Sequence, residues 1–465
     1  MPVHLKKERD TPMAVTNMQA TIAARIERVP LFSLHRKLVF VLGVGTFFDL
    51  FDIALGGLLA AILANIYHLN AFQTAAIIAS GFFGMFVGAV VLSVVSDYFG
   101  RRTMFLIDLL IYSLFSLAVA FSPNVIWVIV FRFLAGIGLG ATPPLTDVYL
   151  SEMLPRRVRG KYTAWAYTIG LLGVPVAGLL SKSLVSVTFL MAGWRWLVIV
   201  GALGALVVWF LRRGLPESPR WFESRKKTAA AEAATSAIEH AAMRELHLAE
   251  LPPPTLAVVE PPKRTTLAES FRGIYAKRTT MLLIFQFFQA VGFYGFGSLA
   301  PIILVAKGFS VVNTLAYTAP IALGYPLGSL LSVPIVERME RKWLIVATAL
   351  LMALFGLVFG FATSIPLILA SGFLLTVASQ VFSNGYHIYQ AEIFPTRMRG
   401  TAVGIAFSLS RLSSGILPFV ALPLLQTSGP VAVFGACAII LGIVSLDVGL
   451  LGPRTTGQSL EKVAH

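Results

Sequence analysis

Apolar stretches long enough to cross a hydrocarbon core recur along this chain, near residues 37–63, 72–96, 103–121, 125–149, 161–184, 194–211, 279–305, 313–335, 343–361, 366–391, 401–425 and 430–451. A bilayer core about 30 Å thick needs about 20 apolar residues per helical crossing. Lipid offers no hydrogen bonds, so each crossing must satisfy its own backbone. The pattern predicts an all-α membrane protein of twelve transmembrane helices. Composition agrees: 57% of the residues are hydrophobic and 13% are charged, against about a quarter charged in soluble domains.

A net charge of +15 points to nucleic acid in a soluble protein. Here the placement of the cations reads otherwise. Lys182, Arg195 and Lys307 fall in or beside loops predicted outside, and Arg132 and Arg411 fall within spans. All other Lys and Arg lie in the termini or in loops after even-numbered spans. That asymmetry places both termini in the cytoplasm. It makes the chain a multi-pass protein of the plasma (bacterial inner) membrane with no nucleic-acid partner. The single cysteine, Cys437, excludes an internal disulfide. The first 36 residues are polar and lack a signal-peptide core.

The polar stretch 213–278 splits the spans six and six. Its Ala- and Glu-rich part near 228–250 predicts a short amphipathic helix, and its Pro-rich part a flexible linker. The expected organisation is a cytoplasmic segment 1–36, a six-helix bundle 37–212, the linker 213–278, a second six-helix bundle 279–452 and a tail 453–465. The bundles share motifs. "EMLPRRVRG" at 152–160 matches "EIFPTRMRG" at 392–400, an offset of 240 residues. The same offset carries Asp97, Arg101 and Arg102 onto Glu337, Arg341 and Lys342, and Tyr149 onto Tyr389. Two homologous halves related by an axis along the membrane normal follow.

These residues resemble the major facilitator superfamily. "SDYFGRR" (96–102) is similar to its signature loop between helices two and three, with Ser93 where the usual leading Gly stands. "RFLAGIGLG" (132–140), "EMLPRRVRG" and "PESPRW" (216–221) resemble its sugar-porter and metabolite-symporter branch. The resemblance covers about 37–452 and implies a membrane transporter with a cytoplasmic gate. Acid–arginine pairs can close that face: Asp97 with an arginine of another helix, Glu152 with Arg159, Glu392 with Arg399. Arg101, Arg102, Glu337 and Arg341 belong to the same loops, and the resemblance adds Glu217 and Arg220. The alternative is topology control alone, which needs no acids. Gly136, Gly138, Gly140, Gly170, Gly173 and Gly178 read as packing surface.

Two aspartates in "FFDLFDIALGG" (47–57) stand inside the first span. A carboxylate at mid-bilayer costs about 2.5–3.5 kcal/mol on insertion scales. Asp49 lies about 18 Å into the helix and Asp52 one turn further, with Gly45 and Gly56 continuing the face. That face must line a polar cavity. Arg132, inside the fourth span, is the available counter-charge. The resemblance supports an Asp52–Arg132 partnership, because sugar porters carry an acid on helix one and an Arg on helix four. "DLFD" is also similar to the paired-Asp "DGFD" of aromatic-acid/proton symporters, with Leu50 in place of Gly. A static ion pair is the alternative to proton coupling.

In the second half, Gln289 stands at the place of Asp49, and Gln286, Gln289 and Phe293 share a face. "QAVGFYGFGSLAP" (289–301) resembles the sugar-porter "QxxG…P" stretch. It departs at Phe288 and Tyr294, where amides are usual, which speaks against a hexose. Arg411, near mid-span with no acid evident on its own half, invites an anion. Asn384, Tyr386, His387 and Tyr389 are further lining candidates. Tyr162, Trp165, Tyr167, Phe293, Tyr294 and Tyr325 can stack on a flat ligand. Asp108 and Asp147 read as gate or interface residues and Asp447 as interfacial. The function expected is import of a small organic acid with protons by a monomer, without cofactor or metal. A sugar/proton symporter and a proton-antiport exporter are the nearest alternatives. An effector domain and the usual enzyme motifs are missing from the sequence.

Overall fold

The computed structural model describes residues 21–254, 271–394 and 396–455, and the side chains of Asp97, Phe293, Glu337 and Arg399 lie outside the described residues. A short helix α1 (Ile22–Arg28) precedes the first bundle. That bundle comprises α2 (Ser33–Tyr67), α3 (Ala71–Phe99), α4 (Arg101–Ala120), α5 (Val125–Met153), the broken crossing α6 (Arg156–Leu171) and α7 (Gly173–Leu184), and α8 (Gly193–Arg213). Next come α9 (Pro219–Ser224) and α10 (Thr228–Leu246), the helix expected in the linker. The second bundle opens with α11 (Gly273–Ala290), a π-helical turn (Val291–Gly295) and α12 (Phe296–Ala306), which together make one crossing. It continues with α13 (Val311–Ala322), α14 (Gly324–Arg338), α15 (Arg341–Phe361), α16 (Ile365–Glu392) and α17 (Thr396–Leu451). No strand occurs among the described residues.

Among the described residues, ten helices are long and apolar enough to span a membrane. The last of these turns at Gly429, where φ is 77°, and so makes two crossings. With the divided α11–α12 crossing, the twelve expected spans are accounted for. Local chemistry sets the ends. Asn70 accepts from the Gln73 amide at the start of α3 while the Gln73 side chain bonds back, a reciprocal cap. Asn124 and Ser310 cap α5 and α13 one way only, accepting the Trp127 and Asn313 amides. Gly100, with φ of 97°, lets α3 turn directly into α4.

The bundles pack through α3 on α17, α2 on α12 and α7 on α13. Small residues make this possible: a Cβ on Gly57 would overlap the Ser298 backbone, and one on Gly178 would lie 3.2 Å from Ala319 Cα. Gly136, Gly138, Gly140, Gly170 and Gly173 meet neighbouring helices just as closely, so all six expected packing glycines do pack. Exposed Phe72, Leu114, Ile126, Val420, Ile439 and Leu446 lie on the outside of the bundles.

Candidate functional site

The polar residues inside the first bundle are organised along one stripe of α2. Gly45, Asp49, Asp52 and Gly56 are spaced four, three and four residues apart and so share a face. Both aspartates are buried. The Nη2 of Arg132 lies 3.7 Å from the Asp52 Oδ2, the pairing expected from sequence. Gly56 makes room for that arginine: a Cβ there would sit 2.9 Å from Nη2. The other end of the stripe holds a second arginine. The Arg212 guanidinium occupies the space a Cβ on Gly45 would take, and it lies 4.4 Å over the Phe105 ring. Asp49 is thus flanked electrostatically by Arg212 and Asp52.

Arg212 corrects the sequence reading, which left it in a cytoplasmic loop. α8 continues to Arg213, and Arg212 turns inward over Phe105. Asp108, read as a gate or interface residue, is fully buried, with Arg212 and Asp49 as its charged neighbours. The sequence held one hint: two glycines continuing the acidic face, one for each arginine.

The second bundle answers with amides and rings. Gln289 donates to Gln286 (2.9 Å), which donates to Gln390 (2.7 Å), tying the crossing of α11 to α16. Gln289 Oε1 has no partner. Asn384 bonds Ser332 at 2.6 Å and accepts from Gln380 at 3.0 Å. The Arg411 guanidinium lies between the Tyr294 ring (4.6 Å) and the Phe407 ring (4.8 Å). Arg411 is 4% exposed, and its Nη1 has no hydrogen-bond partner. His387 stacks on Tyr386 at 4.4 Å. Tyr167, which donates to Asp147 at 2.8 Å, faces the Tyr294 and Tyr386 phenols from the first bundle. Asp147, Tyr167, Tyr294, Tyr386, His387 and Arg411, from both halves, lie near one another. Asp147 therefore belongs with this cluster rather than with a gate. Tyr325 is buried against Leu171 and Ala322. Tyr162 packs against the apolar cluster around Leu42 and Tyr149, away from the cluster. Asp447, expected at the interface, is buried beside Tyr389.

At the loops after helices two and four, the halves repeat one another. Arg101 reaches Glu152 at 3.6 Å and Arg341 reaches Glu392 at 3.1 Å, pairs separated by the same 240 residues. The expected Glu152–Arg159 pairing is not formed. Glu152 takes Arg101, because the α3–α4 turn lies over the end of α5. Arg159 and Arg220 both bind Glu27 of α1 at 3.3 and 3.2 Å. Glu217 accepts the backbone N–H groups of Arg101 and Arg102 at the start of α4. Burial raises its carboxyl above the usual range, against the pull of the Ser218, Arg102 and Arg101 amides. Tyr149 donates to the Pro216 carbonyl and Tyr389 to the Pro453 carbonyl, a matching tether in each half. The Arg399, Asp97 and Glu337 side chains, expected in these networks, lie outside the described residues.

Two pseudo-symmetric helical bundles around a central polar cluster, with ion pairs across one face, define a membrane transporter of the major facilitator type, not an enzyme. The family described as "Sugar (and other) transporter" matches residues 37–465. The chain belongs to that family. It is 32% identical to the putative metabolite transport protein YyaJ of Bacillus subtilis, covering 96% of this chain and 98% of that one. It is 29% identical to the niacin transporter NiaP of Acinetobacter baylyi, covering 95% and 99%. The crystal structure of a D-xylose-proton symporter superposes with a TM-score of 0.72 at 20% identity, over 92% of this chain and all of that one.

Proposed function

We propose that the protein imports a small organic acid, an aromatic carboxylate above all, together with protons. The observation that carries this reading is Arg411, buried between two aromatic rings with Nη1 unpartnered. A buried guanidinium held by two rings suits a carboxylate: the rings fix its plane and the fork takes both oxygens. The relative named for niacin, a pyridine carboxylate, supports this substrate class. Against a sugar, Gln286 and Gln289 are bonded to one another and to Gln390.

In this reading Asp52 takes a proton from outside and lets go of Arg132. The loaded bundles rock, Glu152–Arg101 and Glu392–Arg341 separate, and the substrate leaves inward. Asp52 loses its proton and pairs with Arg132 again. Both termini are cytoplasmic, the membrane is the bacterial inner membrane, and one chain suffices. The test is uptake of labelled nicotinate, hydroxybenzoates and xylose into proteoliposomes, with and without an inward pH gradient. For one proton per substrate, one pH unit supports about tenfold accumulation. Accumulation of a carboxylate that tracks the gradient is the expected result. Xylose accumulating while the acids do not sinks the substrate assignment, and indifference to the gradient sinks the coupling.

A further inference from the structure

Asp108 and Arg212 are buried charges that the Asp52–Arg132 pair does not use. Neither carboxylate oxygen of Asp108 has a hydrogen-bond partner, and none of the three guanidinium nitrogens of Arg212 has one. Asp49 Oδ1 is equally without a partner. Charges buried in this way are strongly unfavourable unless function keeps them.

The internal repeat supplies a control. At an offset of 240, Thr348 stands for Asp108, Gly452 for Arg212 and Phe285 for Gly45. The Thr348 hydroxyl bonds the Leu344 carbonyl of its own helix at 2.7 Å. Phe285 packs against Phe382 and Tyr386. The same six-helix architecture is therefore built without these three residues, so the fold does not need them.

Their order along α2 is informative. Arg212 sits at Gly45, Asp49 and Asp52 follow, and Arg132 sits at Gly56, an axial distance of about 16 Å at 1.5 Å per residue. Asp49, Asp52 and Asp108 face two arginines that stay charged. With every group ionised, one negative charge is left over. A single proton shared among the three acids makes the set neutral.

We propose that Asp108 and Arg212 form a second proton station, through which the proton received at Asp52 leaves on the Gly45 side of the membrane. This rests on the proton-coupled reading above. The proton passes from the Asp52 carboxyl to Asp49 and then to Asp108, with only O–H bonds made and broken. Asp52 is left as a carboxylate against Arg132. Arg212 favours the ionised acids beside it and so drives release. The groups facing Asp108 are Arg212 from α8 and Asp49 from α2. Tyr112, on the next turn of α4, donates to the Phe48 carbonyl at 3.4 Å. On α5, Arg132 is turned to Asp52 and Tyr149 to the Pro216 carbonyl. On α3 the side chain of Asp97 lies outside the described residues.

The proton itself is the probe. Infrared spectroscopy of the reconstituted full chain, titrated from about pH 5 to pH 9, follows the band of protonated carboxyl groups without any substrate. Asp108→Asn is expected to remove part of the titrating band. Arg212→Gln is expected to move its midpoint to higher pH by about one unit or more, because a neighbouring cation is gone, while Arg212→Lys stays near the wild type. A band that titrates in the wild type, persists unchanged in Asp108→Asn and Arg212→Gln, and vanishes in Asp52→Asn overturns the station and spares the coupling reading. The coupling reading fails by a different sign: wild-type uptake indifferent to a pH gradient. If neither single variant folds but Asp108→Asn with Arg212→Gln does, with the wild-type titration, the two residues are a structural ion pair and the proposal is overturned.

Discussion

The two bundles share one fold and fill it with opposite chemistry. The first buries Asp49, Asp52, Asp108, Arg132 and Arg212; at the matching places the second has Gln289, Gly292, Thr348, Gly372 and Gly452. The second has Arg411 where the first has Leu171. Even the central cluster is split this way. Asp147 and Tyr167 are joined by a hydrogen bond, while their counterparts His387 and Phe407 meet as rings 6.3 Å apart. The ion pairs at the loops after helices two and four are the exception, with the same arginine–glutamate pair in both halves. A rocking fold needs both halves tied alike on that face, whereas proton handling and ligand binding can be divided between the halves. Under the proposed function, the first half would manage the proton and the second would hold the substrate.

The strongest test of that division is Asp52→Asn. It is expected to abolish pH-driven accumulation, about tenfold for each unit of gradient, while substrate exchange at equal pH continues. Proteoliposome uptake and counterflow measured side by side separate the two. Accumulation retained in both Asp52→Asn and Asp49→Asn would mean that the coupling does not reside in the first half.

Arg411→Gln should leave the pH response of any residual uptake intact and weaken carboxylate affinity by about ten- to a hundredfold, the worth of a charge-assisted hydrogen bond. Arg411→Lys keeps the charge without the fork and should fall between. Binding measured by calorimetry checks both, and an affinity unchanged in Arg411→Gln breaks the comparison on the substrate side.

Gly45→Ala puts a methyl where the Arg212 guanidinium lies. The contact is with the far end of a flexible side chain, so the arginine swings aside from its buried place at a cost of about 1 kcal/mol, the low end for an overfilled interior. Gly435→Ala, with open space around it, should cost far less. Thermal unfolding midpoints of the two variants in detergent compare them directly, and equal midpoints would mean that Arg212 is not confined at Gly45.

The smallest effect concerns a strap that belongs to the first half. Glu239 of α10 is bonded by Arg25 and Arg28 of α1, at 2.6 and 2.7 Å. Burial alone would raise the Glu239 carboxyl, but hydrogen bonds from Arg25 and Arg28 outweigh it and hold it below its ordinary value. A lowered carboxylate stabilises the fold at neutral pH and loses that contribution as pH falls through the folded-state value. Hydrogen exchange of α10, corrected for intrinsic rates, should therefore be steady from about pH 7 to pH 5 and quicken below about pH 4. Glu239→Gln should show the quickened exchange already at neutral pH. Protection that ignores both changes would show that the strap does not hold α10.

Much of this molecule could be read in one dimension. Spanning length, helix class, the six-and-six division, the repeat and the packing glycines follow from local hydropathy and spacing, because a helix in lipid must satisfy its own backbone within its own segment. A partner for Arg132 in Asp49 or Asp52 could be expected because opposite charges inside apolar spans have few other places to go; the choice of Asp52 is what the resemblance to sugar porters implied. What stayed hidden were partnerships set by how helices rotate and cross. Arg212 stands at a helix end, where a long side chain reaches outward to the headgroups or inward over Phe105 at no change in sequence signal. Asp108 acquires its meaning from Arg212, more than a hundred residues away. Glu152 meets Arg101 across the bundle rather than Arg159 nearby along the chain. Hydrophobic burial is additive along a segment and so is legible there, whereas the partner of a charge depends on distances of a few ångströms between segments, which exist only once the helices have packed.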